Sequence, residues 1–417
     1  MNRPLLILIA IALLLGLGAY WLSEPTVDNA SVQTTTSVAE AMGSSDTTGY
    51  DRADRVIDFS FPDDHGPHPG FQTEWWYFTG NLDGDDGNPY GFKFTIFRSA
   101  LSPPDSATVT AVSSNPASDP SSASDWRTNQ FYMSHVGVSA MDRAWHRSAE
   151  RFARGGAGLA GARAQPFRVW LNDWSMQSAE PVEQTPNATP NDPTFPLRLQ
   201  VSDDEMGFDL TVTPQKAPVF QGDRGLSQKG PGSGNASYYY SYTQLNTEGQ
   251  VIVEGDTINV TGQSWMDREW STSALAEDQE GWDWFSLQFD DGRELMYYQL
   301  RNDNGMPSSF SKGLLVEEDG SSTLIEREDV ELEVTDTWTS DVDGESTYPV
   351  AWQMRIPEYD LDLTIDAYFP GQEMDVSVRY WEGAVQIDGT AGGSDLSGRG
   401  YVELTGYADG ASAGPMS

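Results

Sequence analysis

Residues 237–267 read SYYYSYTQLNTEGQVIVEGDTINVTGQSWMD. Successive side chains of an extended chain point to opposite sides, so Tyr238, Tyr240 and Tyr242 share one face. By the same count Trp265 and Asp267 share a face near the end of the stretch. A helix would need apolar residues every three to four positions, and they do not fall that way. The stretch divides into strands Ser237–Leu245, Gln250–Glu254 and Ile258–Met266, with the run NTEG read as a hairpin turn.

Working outward, the alternation continues from about Asp51 to the end. Glu74–Asn81, Tyr90–Arg98, Phe131–Ala140 and Phe167–Trp174 precede the stretch. Trp282–Phe289, Arg293–Arg301, Leu361–Tyr368 and Gly398–Leu404 follow it. These segments are rich in Val, Thr, Tyr, Trp and Phe and are bounded by Gly, Asn and Asp. Only Asp142–Phe152 and Thr272–Gln279 suggest short helices. Leu101–Thr128 and Ser175–Thr194, dense in Ser, Pro, Asn and Asp, read as long surface loops. Many evenly spaced strands predict an all-β fold of barrels or sandwiches. A weak repeat divides it in two: EWWYFTGNL near the start rhymes with GWDWFSLQFDDG at 281–292. We expect a first barrel over 51–275, a second over 276–410, and a disordered tail over 411–417.

The N-terminus reads differently. After a basic Met1–Arg3, Pro4–Leu22 is a run of 19 apolar residues. At helical rise that nearly matches a bilayer core of about 30 Å. Residues 1–22 are therefore either a cleaved signal peptide or a signal anchor, and 23–50 a flexible linker. The rest of the chain is expected to be exported, either periplasmic or on the outer face of the cytoplasmic membrane.

Composition narrows the function. The 417 residues contain 63 Asp+Glu against 24 Lys+Arg, a net charge of −39, and no cysteine. Thiolate metal sites and cysteine nucleophiles are excluded. A nucleic-acid partner is not expected, because such affinity comes from cations displacing counterions. Only four of the basic residues are lysine, at 93, 216, 229 and 312. An acidic, lysine-poor surface suits high salt. The sequence lacks H-E-x-x-H and G-x-S-x-G, so neither a metal nor a cofactor is expected.

Several longer motifs occur together: HPGFQTEWWYFTGNL, FYMSHVGVS, ERFARGGAGLAG, KAPVFQGDRGLSQKGPGSGNASYYYS and TGQSWMDREWSTSAL. They resemble the AttH-like, lipocalin-like family that includes the carotenoid 1,2-hydratases (hydroxyneurosporene synthases). The likeness runs from about Asp51 to Tyr407. It implies two packed calycin-like antiparallel β-barrels, with an apolar ligand or substrate in the N-terminal one. It also implies an acid two residues after an aromatic, which Asp267 and Trp265 match. The hydratases' His-x-aromatic element is replaced here by Tyr238 and Tyr240.

In an apolar cavity Asp267 would keep its proton near neutrality and could protonate an alkene, with aromatic rings stabilising the cation. Alternatively it pairs with Arg268, Arg293 or a backbone turn. Glu74 and Trp76, on one face of QTEWWY, either contact a ligand or close the barrel end by an ion pair. His135 is a candidate cavity base or ligand hydrogen-bond donor, or else a satisfied buried histidine. Lys229 and Asn235, in the Gly-rich loop, could hold a polar ligand group. Tyr242 and Trp282 complete the expected ligand contacts. Two functions follow: a binding protein for an isoprenoid or lipid, or an enzyme that hydrates or cyclises such a molecule. A third is an accessory protein of an inner-membrane transporter.

Overall fold

A computed structural model describes residues 47–104, 128–179, 192–272, 275–276 and 278–408. The expected signal or anchor and most of the linker lie outside the described residues, as does the tail beyond 408.

The first sheet contains thirteen strands. They are β1 (Thr73–Gly84), β2 (Pro89–Ala100), β3 (Gln130–Ala140), β4 (Trp145–Arg154), β5 (Ala160–Arg163), β6 (Arg168–Leu171), β7 (Trp174–Ser178), β8 (Leu197–Ser202), β9 (Met206–Pro214), β10 (Val219–Phe220), β11 (Leu226–Gln228), β12 (Ala236–Val253) and β13 (Asp256–Ser271). The second contains ten. They are β14 (Gln279–Phe289), β15 (Glu294–Asn302), β16 (Lys312–Val316), β17 (Ser322–Glu326), β18 (Glu331–Thr339), β19 (Thr347–Ile356), β20 (Leu361–Ala367), β21 (Glu373–Met374), β22 (Tyr380–Ala391) and β23 (Ser394–Leu404).

Every pairing is antiparallel between neighbours in the order β4-β3-β2-β1-β13-β12-β9-β8-β7-β6-β5 and β17-β16-β15-β14-β23-β22-β20-β19-β18. The fold is all-β, two antiparallel sheets each curled into a barrel or half-barrel. In the first, β6 comes back against β2, β3 and β4. Curling lets one face of each strand line a closed core. Trp76, Phe78, Phe92, Phe94, Tyr240, Met266 and Trp270 fill the first core. Phe285, Leu287, Tyr297, Trp352 and Trp381 are among those filling the second.

Four local expectations need correction. NTEG is not a turn: Asn246–Gly249 lies inside β12, and the chain reverses at Glu254-Gly255. Those two residues have φ of 53° and 86°, the positive values that a two-residue hairpin of this hand demands. Asp142–Phe152 is not a helix beyond one turn at Met141–Arg143, because Trp145–Arg154 pairs with β3 as a strand. Part of the supposed loop at 175–194 is strand β7. Among the described residues of Thr272–Gln279 there is no helix.

The two sheets pack through their outer faces, where β1, β12 and β13 meet β14, β22 and β23. A separate cluster of buried residues sits there, including Tyr77, Tyr239, Trp265, Trp284, Tyr298 and Tyr401. The approach is close: a Cβ on Gly91 of β2 would collide with the Tyr401 hydroxyl of β23.

Candidate active site between the two sheets

The outer face of the first sheet follows from the period of two. On β13 it carries Trp265, Asp267 and Glu269. On β1, Tyr77 stands opposite Asp267 and Trp75 opposite Glu269. On β12, Ser241 stands opposite Asp267 and Tyr239 opposite Glu269. Residues directly opposite in an antiparallel pair share a face. The second sheet answers with Trp282 and Trp284 on β14, Tyr298 and Leu300 on β15, and Glu403 on β23. Trp284 is opposite both Tyr298 and Glu403.

A cavity lies between these faces. Its walls are Trp75, Tyr77, Phe97, Tyr239, Trp282, Trp284, Tyr298 and Tyr380, with Leu275 and Leu300, and its polar groups are Lys229, Asp267, Glu269 and Glu403. It offers about 80 Å³ to the centres of water-sized molecules, room for several waters. The interior of the first barrel, where the resemblance placed the ligand, is instead filled by packed side chains.

Asp267 is the most specifically held group. Trp265 Nε1 donates to Oδ1 at 2.7 Å and Ser241 Oγ to Oδ1 at 2.5 Å. The Tyr239 hydroxyl donates to Oδ2 at 2.5 Å. Burial pushes its carboxyl up to about 7, against the lowering by those three donors and with a further rise from Glu269. Neither Arg268 nor Arg293 pairs with it: Arg268 points to the other face, toward Glu74, and Arg293 pairs with Asp291.

Glu403 faces the same cavity from the second sheet and accepts a hydrogen bond from Trp282 Nε1 at 2.7 Å. Burial pushes it up to about 8, followed by the Glu382 charge beside it, while Lys93 and the Trp282 bond work the other way. Lys229 supplies the cation. Its Nζ is 3.1 Å from Glu269 Oε1 and lies 4.2 Å from the Tyr298 ring centre and 5.2 Å from that of Tyr239. Burial is the largest single influence and opposes its charge, but Glu269, Tyr298 and Asp267 together outweigh it and hold the ammonium above the usual lysine range.

A buried polar network backs the cavity. Tyr77 donates to Glu382 Oε1 at 2.8 Å, and Lys93 Nζ is 2.6 Å from Glu382 Oε2. Lys93 also bonds to the Tyr380 hydroxyl, which meets His135 Nδ1 at 3.1 Å. Burial, then Lys93, holds His135 well below the usual histidine range, so the ring is neutral.

Of the residues singled out from sequence, Asp267, Lys229 and Trp282 line the cavity, and Trp265 braces Asp267. His135 sits behind Tyr380. Tyr238, Tyr240, Tyr242 and Trp76 point the opposite way, into the first core. There Tyr240 meets His65 Nδ1 at 2.6 Å and Tyr242 donates to Asp192 at 2.9 Å. Glu74 closes that barrel: Arg98, Arg268 and His68 surround its carboxylate. Asn235 contributes a backbone carbonyl to the Lys229 N–H. Sequence reasoning passed over Tyr77, Tyr239, Glu269, Trp284, Tyr380 and Glu403. Counting on from Trp265 and Asp267 by two would have found Glu269.

The comparisons with known proteins agree with this architecture. A protein of Nitrosomonas europaea described as a putative AttH has a similar crystal structure, with a TM-score of 0.70 and 30% identity over 86% of this chain and 99% of that one. Kievitone hydratase of Nectria haematococca shares the fold, with a TM-score of 0.62 and 14% identity over 85% and 96%. Among curated proteins, the dehydratase asqC of Emericella nidulans is 24% identical over 229 residues, 51% of this chain. The match spans 62% of that relative's length. The AttH-like family profile matches residues 52–407, and the chain belongs to the AttH-like family.

Proposed function

We propose that this protein is an acid–base enzyme that adds water to, or removes it from, an apolar molecule held between the two sheets, with Asp267 moving the proton. The observation that carries the reading is a fully buried carboxyl, poised at about 7, on the wall of an aromatic cavity. A group whose pKa lies near the working pH can both give and take a proton, which is what general acid–base catalysis asks of it. The walls suit an isoprenoid-like or polyphenolic body, by apolar burial and ring stacking. Lys229 suits a carbonyl or phenolate oxygen on that body. Relatives named for removing water and adding it support the reaction class.

The alternative reading is a carrier of such a molecule. It uses the same walls, but gives no work to the three donors that converge on Asp267. We place the active part of the chain outside the cytoplasm, on the strength of the apolar run at Pro4–Leu22.

The test is turnover in ¹⁸O-labelled water with a panel of isoprenoid alkenes, prenylated phenols and β-hydroxy ketones. The expected result is ¹⁸O incorporation into an alkene, or water loss from a β-hydroxy ketone. Asp267→Asn should reduce either by about 100-fold or more, with substrate affinity retained. Tight binding of a panel member without any turnover would instead make the protein a carrier.

A further inference from the structure

We propose that Glu403 is the second proton-transfer residue of this cavity, acting at carbon while Asp267 acts at oxygen. The proposal rests on the reading that the site adds or removes water.

Three observations carry it. First, the two carboxyls reach one cavity from different sheets: Asp267 from β13 and Glu403 from β23. A substrate bound between the sheets has one on each side. Second, their surroundings differ. Asp267 accepts three hydrogen bonds, which favour its anion. Glu403 accepts one, from Trp282, and among the described residues no cation pairs with it. Third, Glu403 stands directly opposite Glu382 across the β22–β23 pair. Two carboxylates side by side resist ionising together. Lys93 and Tyr77 already stabilise the negative charge on Glu382, so Glu403 is the member left holding a proton. The direction of its shift, up to about 8, agrees.

The chemistry balances with water as the only co-reactant. In hydration, Glu403 gives its proton to one carbon of a C=C bond. Water oxygen bonds to the other carbon, and the Asp267 carboxylate takes the proton that water sheds. In dehydration, protonated Asp267 gives its proton to the leaving hydroxyl and the C–O bond breaks. The Glu403 carboxylate takes the proton of the adjacent C–H, whose electrons form the new double bond. Each turnover leaves the proton on the other carboxyl, and exchange with solvent resets the pair.

Two measurements on the full chain test the assignment. The first is infrared titration of the protonated carboxyl band, taking wild type minus Glu403→Gln and wild type minus Asp267→Asn. Both groups should titrate near neutrality, and removing either should lower the midpoint of the other. The second is the pH profile of kcat/KM for hydration of whichever panel alkene is turned over. Wild type should give a bell, rising as Asp267 ionises and falling as Glu403 does. Glu403→Gln should lose about 100-fold or more and keep only the rising limb. A merely structural role would lower the whole bell without removing a limb. An active wild type in which Glu403 titrates in the ordinary carboxylate range, or in which Glu403→Gln keeps over a third of kcat/KM, overturns the assignment alone. A wild type that turns over no panel member overturns the water-addition reading, and the assignment with it.

Discussion

Tyr77 and Asp267 stand directly opposite each other across the β1–β13 pair, and each reaches a different acid–base system. Tyr77 donates outward to Glu382 of the second sheet, while Asp267 is held by Tyr239, Ser241 and Trp265 of its own. One cross-strand pair thus couples the face of the first barrel to the second. The cavity exists only where both sheets are present.

That placement makes Asp267 costly to the fold. Its carboxyl is raised from 3.8 to about 7 by burial. Below about pH 4 both folded and unfolded states carry the proton, and there is no penalty. Between about 4 and 7 the unfolded chain ionises first, so stability falls as pH rises, and above 7 the loss is complete. A rise of that size corresponds to something on the order of 4 kcal/mol. We expect Asp267→Asn to gain stability relative to wild type from pH 4 to pH 8, read as a widening gap between their thermal melts. A constant gap across that range would refute the buried, proton-retaining state.

Trp284 joins the sheets. Its indole N–H donates to the Tyr239 hydroxyl at 3.2 Å, and its ring meets Trp265 edge-on with centres 6.2 Å apart. Trp284→Ala should cost about 3–5 kcal/mol. The loss should fall on the contact between barrels, not within either core. Calorimetry should then resolve two transitions where wild type melts in one, and an unchanged single transition would count against an interface role.

How far the sequence reveals all this depends on the strand. On β13 the shared face of Trp265 and Asp267 is readable by counting. Which face lines a cavity is not, because β13 is buried on both sides. Met266, Arg268 and Trp270 look as enclosed as Trp265, Asp267 and Glu269. Buried charge on both faces hides the usual inside–outside alternation. Glu403 is invisible for another reason: it joins Asp267 only through sheet–sheet packing, and no local period encodes that. Trp145–Arg154 misleads in the opposite way. Trp145, Ala149 and Phe152 fall at helical spacing, yet the edge of β3 recruits the segment as a strand, and pairing overrides local preference.

Glu74 offers the reverse case to Asp267. Burial alone would raise it, but Arg98 and Arg268, aided by His68, hold it well below the usual carboxylate range. Its contribution is present above about pH 4.5 and is lost as pH falls below that. Glu74→Gln leaves two buried guanidiniums without their carboxylate, which should cost about 3–5 kcal/mol. Arg268 also lies 4.1 Å from the Trp76 ring centre, so the damage should reach the first core. Urea denaturation at pH 7 measures the loss. A cost below about 1 kcal/mol, the range of exposed pairs, would show that the cluster is not the clamp its burial implies.

The surface charge yields the last prediction. Arg147 with Glu205, Arg151 with Asp173 and Arg399 with Asp83 pair at exposed or half-exposed positions. Such pairs contribute at most about 1 kcal/mol each. With 63 acids to 24 bases, most carboxylates have no cation to meet, and their mutual repulsion opposes the compact state. Screening shortens from about 10 Å at 0.1 M salt to about 3 Å at 1 M, which weakens repulsion over the whole surface and the few pairs only locally. Repulsion dominates by number, so the melting temperature should climb by several degrees between 0.1 and 2 M NaCl. A non-ionic osmolyte at equal osmolality should give a smaller rise, because it stabilises by exclusion without screening charge. Equal rises would assign the effect to exclusion and remove the argument for a surface adapted to salt.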